Sequence, residues 1–142
     1  MSRDENNGSI GYKLKRTQHA LRLCMDEAMK SLDLTTPQYA VLAQLSLNPG
    51  ISNAALARAS FITAQTMHAI VSNLEKRNLI RRKEAPDHGR ILQTELTEQG
   101  FKIVAQAHDM IRDVEARMLA TVSVEHKSLL EKLLLECFNN LQ

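Results

Sequence analysis

The chain has 142 residues, of which 44% are hydrophobic and 24% charged, and a net charge of +2. These values exclude a disordered or low-complexity polymer and fit one globular domain. No apolar run approaches a membrane span, the polar opening MSRDENNGSIGYK lacks the apolar core of a secretory signal, and Cys24 and Cys137 have no metal-ligand spacing, so we expect a cytoplasmic protein.

Residues 1–9 are polar and read as a disordered tail. From Ile10 to Leu32, apolar residues recur at helical spacing (Ile10, Leu14, Leu21, Met25, Ala28, Leu32). Thr36-Pro37 reads as an N-cap followed by proline at the first helical position, opening a helix to about Leu47. Asn48-Pro49-Gly50 is a turn. Ser52 is placed to cap a short helix, Asn53 to Ala59, and Thr63 to cap another, Ala64 to about Arg77. Leu79 to Glu84 and Arg90 to Leu96 read as two strands joined by the turn chemistry of Ala85-Pro86-Asp87-His88-Gly89. Thr97 caps a long helix to about Ala120, and Ser123 caps a last helix rich in leucine. The fold class is mostly α with a small β-hairpin (α+β).

Charge is unevenly distributed. Between Arg58 and Arg90 seven basic residues face three acidic ones, whereas from Glu98 onward five basic residues face seven acidic ones. A basic centre suits a polyanion partner, although a solvated surface has the same composition. On a helical wheel of ~100° per residue, Met67, Ile70, Val71 and Leu74 fall on one side of the helix from Ala64. Gln65, Ala69, Ser72 and Lys76 lie opposite, flanked by Thr66 and His68. No acidic residue occurs in this helix before Glu75. Short hydrogen-bonding groups and a methyl suit base edges in a DNA major groove: glutamine pairs with adenine, and alanine or threonine meets the thymine methyl.

A short helix, a turn of a few residues and a second helix form a helix-turn-helix, whose second helix enters the major groove N-terminus first. The basic hairpin that follows is then a wing. Gln65, Thr66, His68 and Ala69 are the candidate base readers. Thr63, Ser72, Lys76, Arg77, Arg81, Arg82, Lys83 and His88 are candidate phosphate contacts, and Arg90 is the candidate for an adjacent minor groove.

LTTPQYAVLAQL, NAALARASFITAQTMHAIVSNLEKRNLIRR and GRILQTELTEQG, in that order and spacing, resemble the MarR family of bacterial transcriptional regulators, over nearly the whole chain from Ile10 onward. The resemblance implies a winged helix-turn-helix (34–97) within a triangular helical homodimer, with 10–33 and 98–142 forming the dimer interface. It implies a repressor of a pseudo-palindromic operator that releases DNA on binding a small aromatic or phenolic inducer. The family usually has aspartate two residues before the wing arginine; here His88 holds that position and Asp87 precedes it. A ligand pocket between DNA-binding lobe and dimer helices is expected near Arg16, His19, Met25 and Tyr39, which mix apolar surface with a few polar groups.

The leucines of the C-terminal segment exceed what a small domain hides alone, which also calls for a homodimer. Cys24 reads as a small packing residue, with a redox-responsive regulator as the alternative. A winged-helix module that docks proteins is another alternative, distinguished by a shallower salt dependence. The five scattered histidines, and the lack of a phosphate loop, nucleophile elbow or zinc signature, give no reason to expect an enzyme, a metal or a cofactor.

Overall fold

A computed structural model describes residues 8–84 and 92–142. Six helices and one antiparallel hairpin follow in the order α1 (Ile10–Ala28), α2 (Thr36–Leu47), α3 (Asn53–Ala59), α4 (Ala64–Lys76), β1 (Ile80–Glu84), β2 (Leu92–Leu96), α5 (Glu98–Met118) and α6 (Val124–Asn140). The turn expected at Ala85–Gly89, with His88 and Arg90, lies outside the described residues, as do residues 1–7 of the tail.

Each helix starts on a side-chain cap that satisfies otherwise unpaired N–H groups. Ser9, Ser52, Thr63, Thr97 and Ser123 accept from the backbone N–H three residues on. For α2 the cap is Thr35, one residue earlier than expected. Its hydroxyl accepts from Gln38 N–H while Gln38 Oε1 accepts from Thr35 N–H, a reciprocal capping box that Thr36 cannot make.

The first helix is also shorter than the apolar spacing predicts. It ends at Ala28, and a 3-10 turn covers Lys30–Leu32 before Asp33 adopts a left-handed conformation (φ 52°, ψ 45°). Burial explains the break: Met29 is fully buried and Leu34 nearly so, and a straight helix cannot insert both side chains into the core.

One hydrophobic core holds the lobe together. Val41, Leu42 and Leu45 of α2, Leu56 of α3, Met67, Val71 and Leu74 of α4, Ile80 and Leu96 of the hairpin, and Val104 and Ala107 of α5 are buried in it. The hairpin pairs Ile80 with Leu96, Arg81 with Glu95, Arg82 with Thr94 and Lys83 with Gln93. Alternation along a strand puts Ile80 and Arg82 on one face and Arg81 and Lys83 on the other. The first face packs inward: Ile80, Thr94 and Leu96 are buried, and the Thr94 hydroxyl donates to Asn53 Oδ1 at 3.2 Å.

Gly100 lies where α5 meets this corner. A Cβ there would stand 2.1 Å from the Leu79 carbonyl oxygen, so only glycine lets the helix approach. Thr97 secures the same corner: its N–H donates to the Leu79 carbonyl at 3.1 Å and its hydroxyl to the Asn78 carbonyl at 2.7 Å. Every residue of α6, by contrast, is exposed in the single chain.

Candidate nucleic-acid interface

The geometry around α4 follows from its sequence. Met67, Val71 and Leu74 are buried, with Ile70 packed beside them, so the opposite side faces outward. Gln65, Thr66, His68 and Ala69 are all exposed on that side, and Ser72 is half-buried. The cap orders its start: Thr63 Oγ1 accepts from Thr66 N–H at 3.2 Å and donates to Thr66 Oγ1 at 3.0 Å. An N-terminus with no acidic residue in its first turn presents its positive end outward, an arrangement that attracts phosphate.

Between α3 and α4, Phe61 takes a left-handed conformation (φ 56°) and is 84% exposed. The sharp reversal there lets Ile62 N–H donate to the Ala57 carbonyl at 3.0 Å, closing the turn. Sequence spacing located this turn without revealing the strained phenylalanine in it.

The basic residues after α4 divide by their partners. Lys76 is exposed at the end of the helix. Arg77, its C-cap, donates from its guanidinium to the carbonyls of Asp33 (2.8 Å) and Leu32 (3.1 Å). Arg82 lies on the inward face of the hairpin and makes a two-pronged pair with Glu75, at 2.8 and 3.3 Å. That pair holds the Glu75 carboxyl below its ordinary value and raises Arg82. Arg81 and Lys83, on the outward face, share the Glu95 carboxylate at 2.6 and 2.9 Å, and these hydrogen bonds, Lys83's first, lower its pKa. Charge counting does not assign these carboxylate partners, because each sits on a different element from its cation: Glu75 on α4 and Glu95 on β2.

The four residues expected to line a ligand pocket do not share one environment. Arg16 and His19 are exposed on α1, Met25 packs on the core and Tyr39 is half-buried. Tyr39 has a partner that sequence reasoning missed: its hydroxyl lies 2.6 Å from His108 Nδ1, with the rings edge to face at 5.5 Å. Burial raises the Tyr39 pKa; nearby Glu115 adds to the shift and Arg112 opposes it. His108 sits four residues after buried Val104 on α5, so the apolar stripe could have flagged it as a residue bordering the core. A cleft of about 430 Å³ opens elsewhere, lined by residues including Asp26, Thr35, Gln38, Asn73 and Arg77. A smaller one, about 180 Å³, runs between α1 and α5. In it Arg117 donates to Cys24 Sγ at 2.8 Å. Among the described residues, no group of three or more His, Cys, Asp or Glu side chains is placed to hold a metal ion, and no helix is long and apolar enough to cross a membrane.

Comparison with known proteins supplies independent findings. The MarR family model matches residues 32–91. The HTH-type transcriptional repressor Rv2887 of Mycobacterium tuberculosis is 34% identical over 132 residues, covering 90% of this chain and 95% of the relative. The crystal structure of that mycobacterial protein with salicylic acid superposes with a TM-score of 0.77 at 31% identity, over 92% of this chain and 96% of the other. The transcriptional repressor CouR, bound to a 23-mer DNA duplex, superposes with a TM-score of 0.88 at 25% identity, over 96% and 97% of the two chains. With this fold, and with identity to a repressor sustained along nearly its whole length, the chain belongs to the MarR family.

Proposed function

We propose that this protein is a sequence-specific DNA-binding transcriptional regulator that acts as a homodimer and responds to a small aromatic acid. The observation that carries the proposal is the outer face of α4: a capped helix with Gln65, Thr66, His68 and Ala69 exposed and no carboxylate before Glu75. Those groups match base edges, and Thr63, Ser72 and Lys76 border them as phosphate contacts. Arg81 and Lys83 on the outward face of the hairpin add positive charge beside them, with His88 and Arg90 proposed for the wing tip. Arg82 faces Glu75 and serves the wing's attachment more than its contacts.

The dimer is supported by exposed apolar surface. Leu130, Leu133, Leu134 and Phe138 of α6 and Ile10, Tyr12 and Leu14 of α1 are exposed apolar residues that a second copy would cover. A two-fold dimer presents two copies of α4 to a two-fold operator. Such a regulator works in the cytoplasm, in reach of the chromosome, and its role is binding, not catalysis.

For the effector, the salicylic acid complex of the mycobacterial relative supports an aromatic acid. The Tyr39–His108 pair, at the junction of lobe and long helix with Arg16, His19 and Met25 toward α1, is the region we propose for it. The test is selection of bound duplexes from random DNA, followed by titration of the complex with salicylate. Enrichment of an inverted-repeat sequence that salicylate releases supports the whole proposal. Enrichment without release removes the effector, and no enrichment removes the regulator.

A further inference from the structure

The C-cap of the reading helix is held by the chain that leaves α1. Arg77 caps the C-terminus of α4, and its two terminal nitrogens donate to two successive carbonyls, Asp33 at 2.8 Å and Leu32 at 3.1 Å. Those carbonyls belong to the short connection between α1 and α2, where Asp33 is left-handed. One turn back along α4, Asn73 Oδ1 accepts from Gln38 Nε2 at 3.2 Å. Gln38 is itself fixed by the capping box of α2. From α1, Asp26 Oδ1 accepts both the N–H (2.8 Å) and the hydroxyl (2.6 Å) of Thr36. Asp26, Gln38, Asn73 and Arg77 thus line one cleft of about 430 Å³, a polar seam between α1, the start of α2 and the end of α4.

We propose that Arg77 is a positioning residue for DNA recognition: its planar fork locks the angle of α4 to the α1–α2 connection, and thereby the separation of the two reading helices in the dimer. The inference rests on the DNA-binding dimer proposed above, in which α1 belongs to the dimer body. A guanidinium matches two neighbouring acceptors at once, and lysine, a point charge on a flexible stem, does not. With both prongs engaged on carbonyls, Arg77 contributes orientation in place of a phosphate contact. Lys76, exposed beside it, supplies the contrast.

The experiment uses full-length wild type, R77A, R77K and K76A, each checked for folding by circular dichroism. Fluorescence anisotropy measures affinity for the selected operator, for operators with the half-sites moved apart or together by a base pair or two, and for unrelated duplex, over a range of salt. R77A is expected to lose about tenfold on the selected operator, to discriminate less between spacings, and to keep the wild-type salt slope. R77K keeps the charge yet loses spacing discrimination, recovering part of the affinity at most; should R77A fail to fold, R77K carries the comparison. K76A loses affinity on every duplex, with a shallower slope.

A slope shallower by about 1.8 in R77A, about 0.9 for each of the two chains, with unchanged spacing preference and full rescue by R77K, makes Arg77 a phosphate contact and overturns the proposal. Wild-type behaviour of both variants also overturns it. Failure of the wild type to bind any duplex is a different result, and it removes the DNA-binding function itself.

Discussion

Alanine at Gly100 should reverse the usual sign of a glycine-to-alanine change in a helix. In an open helical position that change stabilises by up to ~1 kcal/mol, because alanine loses less backbone freedom on folding. At Gly100 the new Cβ would meet the Leu79 carbonyl oxygen at 2.1 Å, the Leu79 carbonyl carbon at 3.1 Å and Leu96 Cδ2 at 3.3 Å. The oxygen cannot swing aside as a flexible side chain does. It belongs to the corner between α4 and β1 and already accepts the N–H of Thr97, the cap of α5. Relief needs a shift of α5 by roughly 1 Å, and overpacking of this kind costs ~1–3 kcal/mol and sometimes more. We expect a net loss of about 2 kcal/mol for G100A, read as a fall in Tm of roughly 4–8 °C. The comparison is G11A, at a helical glycine that in the single chain is exposed with nothing within 4 Å of the added Cβ, and which should be neutral or slightly stabilising to the chain's own fold. Thermal denaturation of the three proteins at one matched concentration provides the assay, since subunit association makes stability concentration-dependent. G100A as stable as G11A would refute the close approach of α5 to the Leu79 carbonyl.

Other consequences can be tested separately. Glu75 and Glu95 have lowered pKa values in the folded state, so the tie of the wing to α4 through Glu75 and the pairing within the hairpin through Glu95 are present above the ordinary carboxylate value of 4.5 and are lost as pH falls through the lower folded values. Melting curves between about pH 6 and pH 3 should therefore fall less steeply for E75Q than for wild type, and equal slopes would remove Glu75 from the linkage. Light scattering should give wild type twice the 16.0 kDa chain mass, and the paired change L133D/L134D should yield a monomer; a monomeric wild type would contradict the proposed interface. Gln65→Ala should cost ~1–3 kcal/mol on the selected operator and little on unrelated DNA, and equal losses on both duplexes would show that Gln65 reads no base.

The order and type of the elements were legible because the signals are local. Apolar spacing and capping residues such as Ser52, Thr63, Thr97 and Ser123 are read within a few positions, and each of those caps is in place. Thr35 and Thr36 were harder to separate, since both can cap and only the reciprocal bond with Gln38 decides between them. The end of α1 was missed because the apolar spacing continues through the 3-10 turn, while burial of Met29 and Leu34 bends the chain. The outward face of α4 was legible for the same reason as the helix itself. The partners of Arg77, Arg82 and Tyr39 were not, because each contact joins residues brought together only by tertiary packing: Asp33, Glu75 and His108 carry no local mark of their roles.

The central claim is that two copies of α4 read one duplex. Its most direct measurement is the stoichiometry and salt dependence of binding to an operator selected from random DNA, followed by anisotropy with purified full-length protein. Two chains per duplex are expected, with affinity far above that for unrelated DNA and falling steeply and log-linearly with salt. Retention of no duplex at low salt, or binding that ignores both sequence and salt, would contradict it.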